Sequence, residues 1–387
     1  MLALRLARGS HPLVLLRRLG VSLAAAGTGF LLLSTIGHAA GHPSAADESL
    51  VRLLWCTAPL AATAQFAVST ARTDPAARLQ RGMTAAGLGP LRLTLLATVS
   101  TTLTCLLGVL AALLAFLRLR GELGGPSAVR FDADLLGTGH PLPLVGTLLL
   151  LATVPLTAAV ATAVALRPRH EAGDAETESR PRIAPPSGLP WGIALTAAGL
   201  AIEAYTSRVP GAHGGLLPLP GRLVGSPPGV LAGWALSAFG LVLAGPGLVH
   251  LCGRLLCAGR PGALRLLSGR VLQEESHRLG RPLGVLCAVG SAAYAAMKVY
   301  EASASRPFGP LTAVGAAVVL ACVTASALTA ALESRSARAH TTAALRRLGA
   351  SASVLYRAAA LRALALVIVL APLTWTVAEM ATLPLVH

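Results

Sequence analysis

Few ionisable side chains fall inside the long apolar runs of this chain, and those few are the first candidates for chemistry. They are Glu203, Lys298, Glu301 and Glu379. A charged group inside such a run is costly to bury, so it marks a functional position by default. Lys298 and Glu301 are three residues apart, a spacing that predicts a pair along one helix face. An alternative is a pair between Glu203 and Lys298 across two helices, which would gate one side of the protein.

An interfacial role is the competing interpretation for three of these residues. Glu203, Lys298 and Glu301 lie near the ends of their apolar runs, where long side chains extend to the water layer. They are therefore candidates for an ion pair on the outer side of a membrane, with solvation at the interface as the alternative.

The residues that build the common catalytic sites are missing. A Walker A loop needs a lysine after its glycine, and Lys298 is the only lysine in the chain. Neither an HExxH helix nor a GxSxG nucleophile turn occurs. The sequence therefore predicts no catalytic residue, no metal site and no bound cofactor, and the chain is not expected to be an enzyme.

The apolar runs define the predicted fold. Of the 387 residues 54% are hydrophobic and 12% are charged, about half the charged share of soluble domains. A membrane-spanning helix needs about 20 mostly apolar residues, and the runs lack the alternation of strands. We expect an all-α membrane protein, a polytopic helical bundle of about nine (eight to ten) transmembrane helices. The predicted spans are about 15–36, 50–70, 93–117, 142–166, 190–206, 227–250, 283–301, 310–332 and 360–382.

The net charge of +16 could indicate nucleic-acid binding, but its distribution indicates a membrane topology. The arginines form short clusters between the apolar runs, 24 in one set of alternating loops and seven in the other. Such an imbalance is typical of cytoplasmic loops that face anionic lipid. We expect a multi-pass protein of the cell membrane with a cytoplasmic N-terminus. The first run, after Arg17 and Arg18, also has the shape of a signal peptide, although its length favours an uncleaved span.

A polar segment divides the chain in two. Residues 167–189 mix acidic, basic, proline and serine residues without apolar periodicity, which predicts a flexible cytoplasmic linker. The predicted domains are a first half (1–166), the linker, a two-span insert (190–250) and a second half (251–387).

An internal repeat relates the two halves. The stretches MTAAGLG (83–89) and LRRLGAS (345–351) align at an offset of 262 residues. Each follows a basic helical stretch, ends in glycine and precedes a new span. Gly87 and Gly349 suit the left-handed position that stops a helix. The aligned pairs are Met83 with Leu345, Gly87 with Gly349, and Leu88 with Ala350.

This repeat resembles the FtsX/MacB-like permease family of ABC transporters, and the layout of spans is similar over nearly the whole chain. The resemblance implies two FtsX-like repeats whose basic cytoplasmic helices dock on a separate ATP-binding subunit, in two copies. ATP would be bound by that partner only. The residues implied in docking are Arg78, Arg81, Met83, Gly87 and Leu88 in the first repeat, and Leu345, Arg346, Arg347, Gly349 and Ala350 in the second.

The sequence departs from the family in two respects. The outer loops at 37–48 and 302–309 leave no room for the large extracytoplasmic domain that members carry. The second repeat is also expected to lack its last span, with a broken or re-entrant segment at Pro372 and Pro384 as the alternative. The leading hypothesis is the permease subunit of an ABC-type transporter or mechanotransmission complex that exports or extracts a substrate. A non-transporting scaffold, sensor or degenerate permease is the alternative, followed by a secondary transporter.

Overall fold

The structure is a computed structural model, and it describes most of the chain. The described residues are 12–42, 46–72, 90–121, 143–167, 186–207, 217–219, 223–226, 228–260, 262–302, 309–349 and 351–386.

Helices account for nearly all of the described residues, as the long apolar runs predict. In chain order they are α1 (Pro12–Gly41), α2 (Ala46–Trp55), α3 (Thr57–Arg72), α4 (Pro90–Leu119), α5 (Leu144–Leu166), α6 (Gly188–Thr206), α7 (Pro228–Cys257), α8 (Ala263–Ala302), α9 (Pro310–Ala337), α10 (Ala339–Arg347) and α11 (Ala352–Val386).

One short hairpin lies between α6 and α7, where the sequence predicted no strand. Its strands are β1 (Leu217–Leu219) and β2 (Leu223–Ser226), which pair antiparallel. The apolar runs were too long for strands, but this loop is not such a run. The intervening sequence Pro220-Gly221-Arg222 has the composition of a turn.

Eight helical segments of the described chain are long and apolar enough to cross a membrane, which makes this a multi-pass membrane protein. They are Val14–Gly41, Ser49–Arg72, Thr94–Leu119, Leu144–Leu166, Gly229–Cys257, Ala263–Lys298, Pro310–Ala337 and Ala352–Leu383. The predicted ninth span, 190–206, is the helix α6. Although α6 forms, it is not among these eight, so a count of nine stays a prediction.

The contacts divide the chain into two compact units. The first comprises Met1–Asp174 and Gly309–Ser326, and the second comprises Ala175–Phe308 and Ala327–His387. Helix α9 therefore contributes its first part to one unit and its remainder to the other. The predicted two-span insert belongs to the same unit as most of the second half.

The first unit is built around α1, which packs on α4, α3 and α5. Gly108 of α4 allows the close approach of the two longest of these helices, because a side chain there would meet the Ser22 carbonyl of α1. A buried polar contact joins Thr28 of α1 to Thr63 of α3, with 2.8 Å between the hydroxyl oxygens. The Cys322 sulfur of α9 lies 3.9 Å from the Thr63 hydroxyl, so small polar groups link three helices inside this unit.

In the second unit α7 packs on both α6 and α8 through glycines. Gly233, Gly240 and Gly247 recur every seven residues and face α6, while Gly245 and Gly253 face α8. A Cβ atom at Gly240 would lie 2.7 Å from the carbonyl oxygen of Gly192 in α6, closer than side-chain carbons approach. Small residues allow such close contact between helices in lipid, where apolar burial gives no driving force.

Helix α8 is continuous over 40 residues, or about 60 Å at the helical rise of 1.5 Å per residue. In the sequence, arginines interrupted by leucines at helical spacing predict an amphipathic helix over 254–282 on the inner leaflet, separate from the span predicted at 283–301. Instead, residues 263–282 pack on the end of α7 around Leu272 and Cys252. The helix continues through Pro282, and its apolar and glycine positions, among them Leu272, Gly269 and Gly280, pack against α7.

Candidate functional site

The candidate site is the short helix α10 with its two junctions, at the end of the second unit that carries Arg346 and Arg347. This end is called the basic end below. The basic end also contains Arg260, just after α7, and Arg265, in the first turn of α8. The two regions are adjacent because Ser268, close to the start of α8, donates a hydrogen bond to the carbonyl oxygen of Ala358, close to the start of α11, at 3.1 Å.

An ion pair connects the first junction, between α9 and α10, to α8. Arg338 occupies the residue before α10, and its Nε atom lies 2.8 Å from Oε1 of Glu275 on α8. Ser334, in the last turn of α9, donates its hydroxyl hydrogen to Oε2 of Glu275 at 2.8 Å. Both oxygens of this buried carboxylate are therefore satisfied by groups at the start of α10. Hydrogen bonds to a charged group are roughly twice as strong as those between neutral groups.

Arg338 also organises the backbone of the junction. Its guanidinium donates to the carbonyl oxygen of Ser334 (Nε, 3.2 Å) and to the Ser334 hydroxyl (Nη2). Its own carbonyl oxygen accepts the backbone N–H of Thr342 at 2.9 Å, the first bond of α10. The start of α10 is thus fixed in position by α8 and not only by its own helical hydrogen bonds.

The second junction is the glycine turn that the repeat predicts. Helix α10 ends at Arg347, and Gly349 has φ +93°, the left-handed conformation predicted for it. The N–H of Gly349 donates to the carbonyl oxygen of Arg346 at 3.0 Å. A new helix, α11, then begins at Ala352. The predicted order of basic helix, glycine and following long apolar helix is present in this segment.

The side chains of this segment point away from the bundle. Arg346 and Arg347 are exposed, and the following Leu348 is 85% exposed. On the first turns of α11, Tyr356 is 72% exposed. Charged, aliphatic and aromatic side chains are therefore exposed together on this short segment.

Of the remaining predicted docking residues, only one lies in the described part of the chain. Leu345 lies within α10. Arg78, Arg81, Met83, Gly87 and Leu88 of the first repeat and Ala350 of the second lie outside the described residues. The pairing of the two repeats therefore stays a prediction.

The three residues predicted for an outer ion pair have different surroundings. Glu203 is fully buried, and its Oε1 accepts the indole N–H of Trp234 from α7 at 2.6 Å. Lys298 is exposed, and its Nζ lies 5.7 Å from the ring centroid of Tyr294. Glu301 is exposed. Within the described chain no ion pair joins Lys298 to either carboxylate.

The residues that anchor α10 were not singled out in the sequence. Ser334, Arg338 and Glu275 fall between the predicted spans, in segments for which only the number of arginines entered the prediction. One signal was available, because Glu274 and Glu275 form an acidic pair inside a stretch that is otherwise basic. No metal cluster of three or more suitable side chains occurs in the described part.

Comparison with known proteins adds no relative to this picture. No protein-family model, no curated protein and no solved structure matches the chain.

Proposed function

We propose that this protein is the membrane (permease) subunit of an ABC-type transporter or mechanotransmission complex. It couples ATP hydrolysis by a separate ATPase subunit, present in two copies, to movement of its transmembrane helices. The observation that supports the proposal is the attachment of α10 and its neighbouring helix to α8. Arg338 holds its start to Glu275, and Ser268 holds the following helix at Ala358.

This arrangement suits the transfer of force. Glu275 and Ser268 are seven residues apart on α8, which places them two turns apart on one face. Displacement of α10 by a partner would therefore move α8 at two points. Because α8 is one continuous helix of 40 residues, the displacement would reach the opposite side of the membrane as a rigid-body movement.

The exposed surface of α10 suits a partner of opposite charge. Arg346 and Arg347 would contact acidic groups, and Leu348 would enter an apolar pocket between them. In this proposal the basic end is cytoplasmic, α6 is the ninth span, and the first repeat docks on the second ATPase copy through the residues around Gly87. The substrate it exports or extracts follows from none of these contacts.

Co-purification from the native membrane in mild detergent tests the proposal. We expect an ATP-binding protein to accompany the wild-type chain and to be lost with the double substitution Arg346→Glu and Arg347→Glu. The matched control is Arg260→Glu with Arg265→Glu, which reverses the same charge on exposed residues of the basic end outside α10. A chain that purifies without an ATPase would contradict the proposal and favour a scaffold or sensor.

A secondary transporter is the second candidate, and one observation favours it. Glu203 is completely buried, and within the described structure its Oε2 atom has no hydrogen-bond partner. A carboxyl group in this position could bind and release a proton during transport. Glu203 lies three residues from the end of α6 and not at its middle, so the ABC-type function remains the main proposal.

A further inference from the structure

A second cluster of polar side chains joins α8 and α11 at the end opposite the basic end. Tyr294 of α8 donates its hydroxyl hydrogen to Oε1 of Glu379 on α11 at 2.8 Å. The indole N–H of Trp375 donates to the Tyr294 oxygen at 3.3 Å. The Lys298 ammonium lies 5.7 Å from the centre of the same tyrosine ring. These four residues are called the Tyr294 cluster below.

The position of the cluster is that of a membrane–water interface. Helices α8 and α11 run in parallel, since Ser268 meets Ala358 near their starts and Tyr294 meets Glu379 near their ends. Lys298 is four residues from the end of α8. Tyrosine and tryptophan are enriched at the headgroup level of the bilayer, where their rings are apolar and their polar atoms meet water.

The two charges of the cluster are not neutralised by each other. Within the described chain neither Lys298 nor Glu379 takes part in an ion pair. Lys298 is exposed, Glu379 is half-buried, and Trp375 is 55% exposed. The ammonium and the carboxylate therefore have no counter-charge within the described protein, and at the headgroup level such charges are carried by lipid headgroups. A ligand with both charges would satisfy the two groups together.

We propose that the Tyr294 cluster binds the phosphoethanolamine headgroup of a membrane phospholipid. Lys298 contacts the phosphate, and Glu379 accepts hydrogen bonds from the primary ammonium of the headgroup. The exposed ring of Trp375 adds a cation–π contact to the same ammonium. The hydroxyl of Tyr294 holds the Glu379 carboxylate in place.

The chemistry of the cluster selects ethanolamine over choline. A primary ammonium donates hydrogen bonds to a carboxylate, whereas a quaternary ammonium has no hydrogen to donate. Recognition of choline relies on a cage of aromatic rings, and the cluster has two rings and one carboxylate. An anionic headgroup without an amine would contact Lys298 but would bring a negative charge towards Glu379.

Native mass spectrometry of the purified full chain tests the proposal with defined lipids. The chain is exposed to equal amounts of phosphatidylethanolamine, phosphatidylcholine and phosphatidylglycerol with the same acyl chains. We expect about tenfold preferential retention of phosphatidylethanolamine, the effect of one hydrogen bond to a charged group. Glu379→Gln should abolish this preference. Lys298→Gln should reduce the retention of all three lipids about tenfold, because each carries the phosphate that Lys298 contacts. Glu274→Gln, on an exposed carboxylate at the basic end, should change neither.

Equal retention of the three lipids would overturn the proposal, as would retention unchanged in both cluster variants. Stronger retention of phosphatidylglycerol would show that Lys298 acts alone and would also refute it. If Glu379→Gln does not fold, Tyr294→Phe takes its place, because it keeps the ring and removes the hydroxyl that orients the carboxylate. It should lower the retention of phosphatidylethanolamine several-fold without lowering the melting temperature. None of these results depends on an ATPase partner.

Discussion

Arg338 and Glu275 lie 63 residues apart in sequence, yet the guanidinium Nε of one is 2.8 Å from the carboxylate of the other. The pair connects the residue before α10 to the first half of α8. Both side chains are largely shielded from water, with 23% of Arg338 and 11% of Glu275 exposed. Shielding makes their interaction stronger than that of an ion pair on an open surface.

The ion pair should be energetically coupled. We expect Glu275→Ala and Arg338→Ala each to lower the free energy of unfolding by about 1–3 kcal/mol, because each removes the charged hydrogen bond between the two side chains and leaves one charge without its partner. The double variant should lose less than the sum of the two. Chemical unfolding in detergent measures the four free energies. The neighbouring exposed Glu274→Ala is the control, and additive losses would show that the pair is not coupled.

The turn after α10 should require glycine. Gly349 has φ +93°, and a side chain in a left-handed conformation costs about 1–2 kcal/mol. Gly349→Ala should therefore lower the melting temperature, and Gly349→Asn should lower it less, since asparagine tolerates this region better. Gly309→Ala is the control, because Gly309 has open space around it and no positive φ. If both alanine variants melt alike, the turn does not depend on the backbone of Gly349.

The glycine stripe of α7 should be essential for packing on α6. A methyl group at Gly240 would lie 2.7 Å from the Gly192 carbonyl oxygen, so Gly240→Ala must separate the helices. We expect a loss of about 1–3 kcal/mol in unfolding free energy. Gly315→Ala on α9 is the matched control, because the added methyl group would contact only Leu31, at an ordinary van der Waals distance of 3.6 Å. It should be neutral or slightly stabilising, since alanine favours helix over glycine.

Two substitutions of Glu203, which accepts the indole N–H of Trp234, distinguish a structural role of its carboxyl group from a role in transport. Glu203→Gln keeps an oxygen that accepts the indole N–H, so the melting temperature and the tryptophan fluorescence should change little. Glu203→Ala leaves the N–H of Trp234 without its acceptor and opens a cavity, and it should cost about 2–4 kcal/mol.

Transport assays then separate the two functions proposed for the chain. If Glu203→Gln is stable but abolishes ion-dependent uptake, the secondary transporter is supported. If it leaves transport unchanged, Glu203 has a structural role between α6 and α7.

The local features of this protein could be predicted from its sequence. Hydropathy located the apolar runs that form the eight candidate spans, because about 20 apolar residues in series have few alternatives to a membrane helix. The helix stop at Gly349 was also predicted correctly, since it depends on the backbone freedom of one residue and its neighbours. Both properties are decided within a short segment of chain.

Other features depended on contacts between distant segments, and the tertiary structure alone decided them. Residues 263–282 look amphipathic in isolation, but the glycines and apolar groups of α7 make them the first half of one long helix. Glu203 resembles an interfacial residue by its position, but close packing of α6 on α7 buries it beside Trp234. Glu275 was one acidic residue among arginines until the fold brought Arg338 and Ser334 to its two oxygens. Composition and periodicity predict the secondary structure of each segment. The partner of a buried charge depends on how the segments of the whole unit pack together.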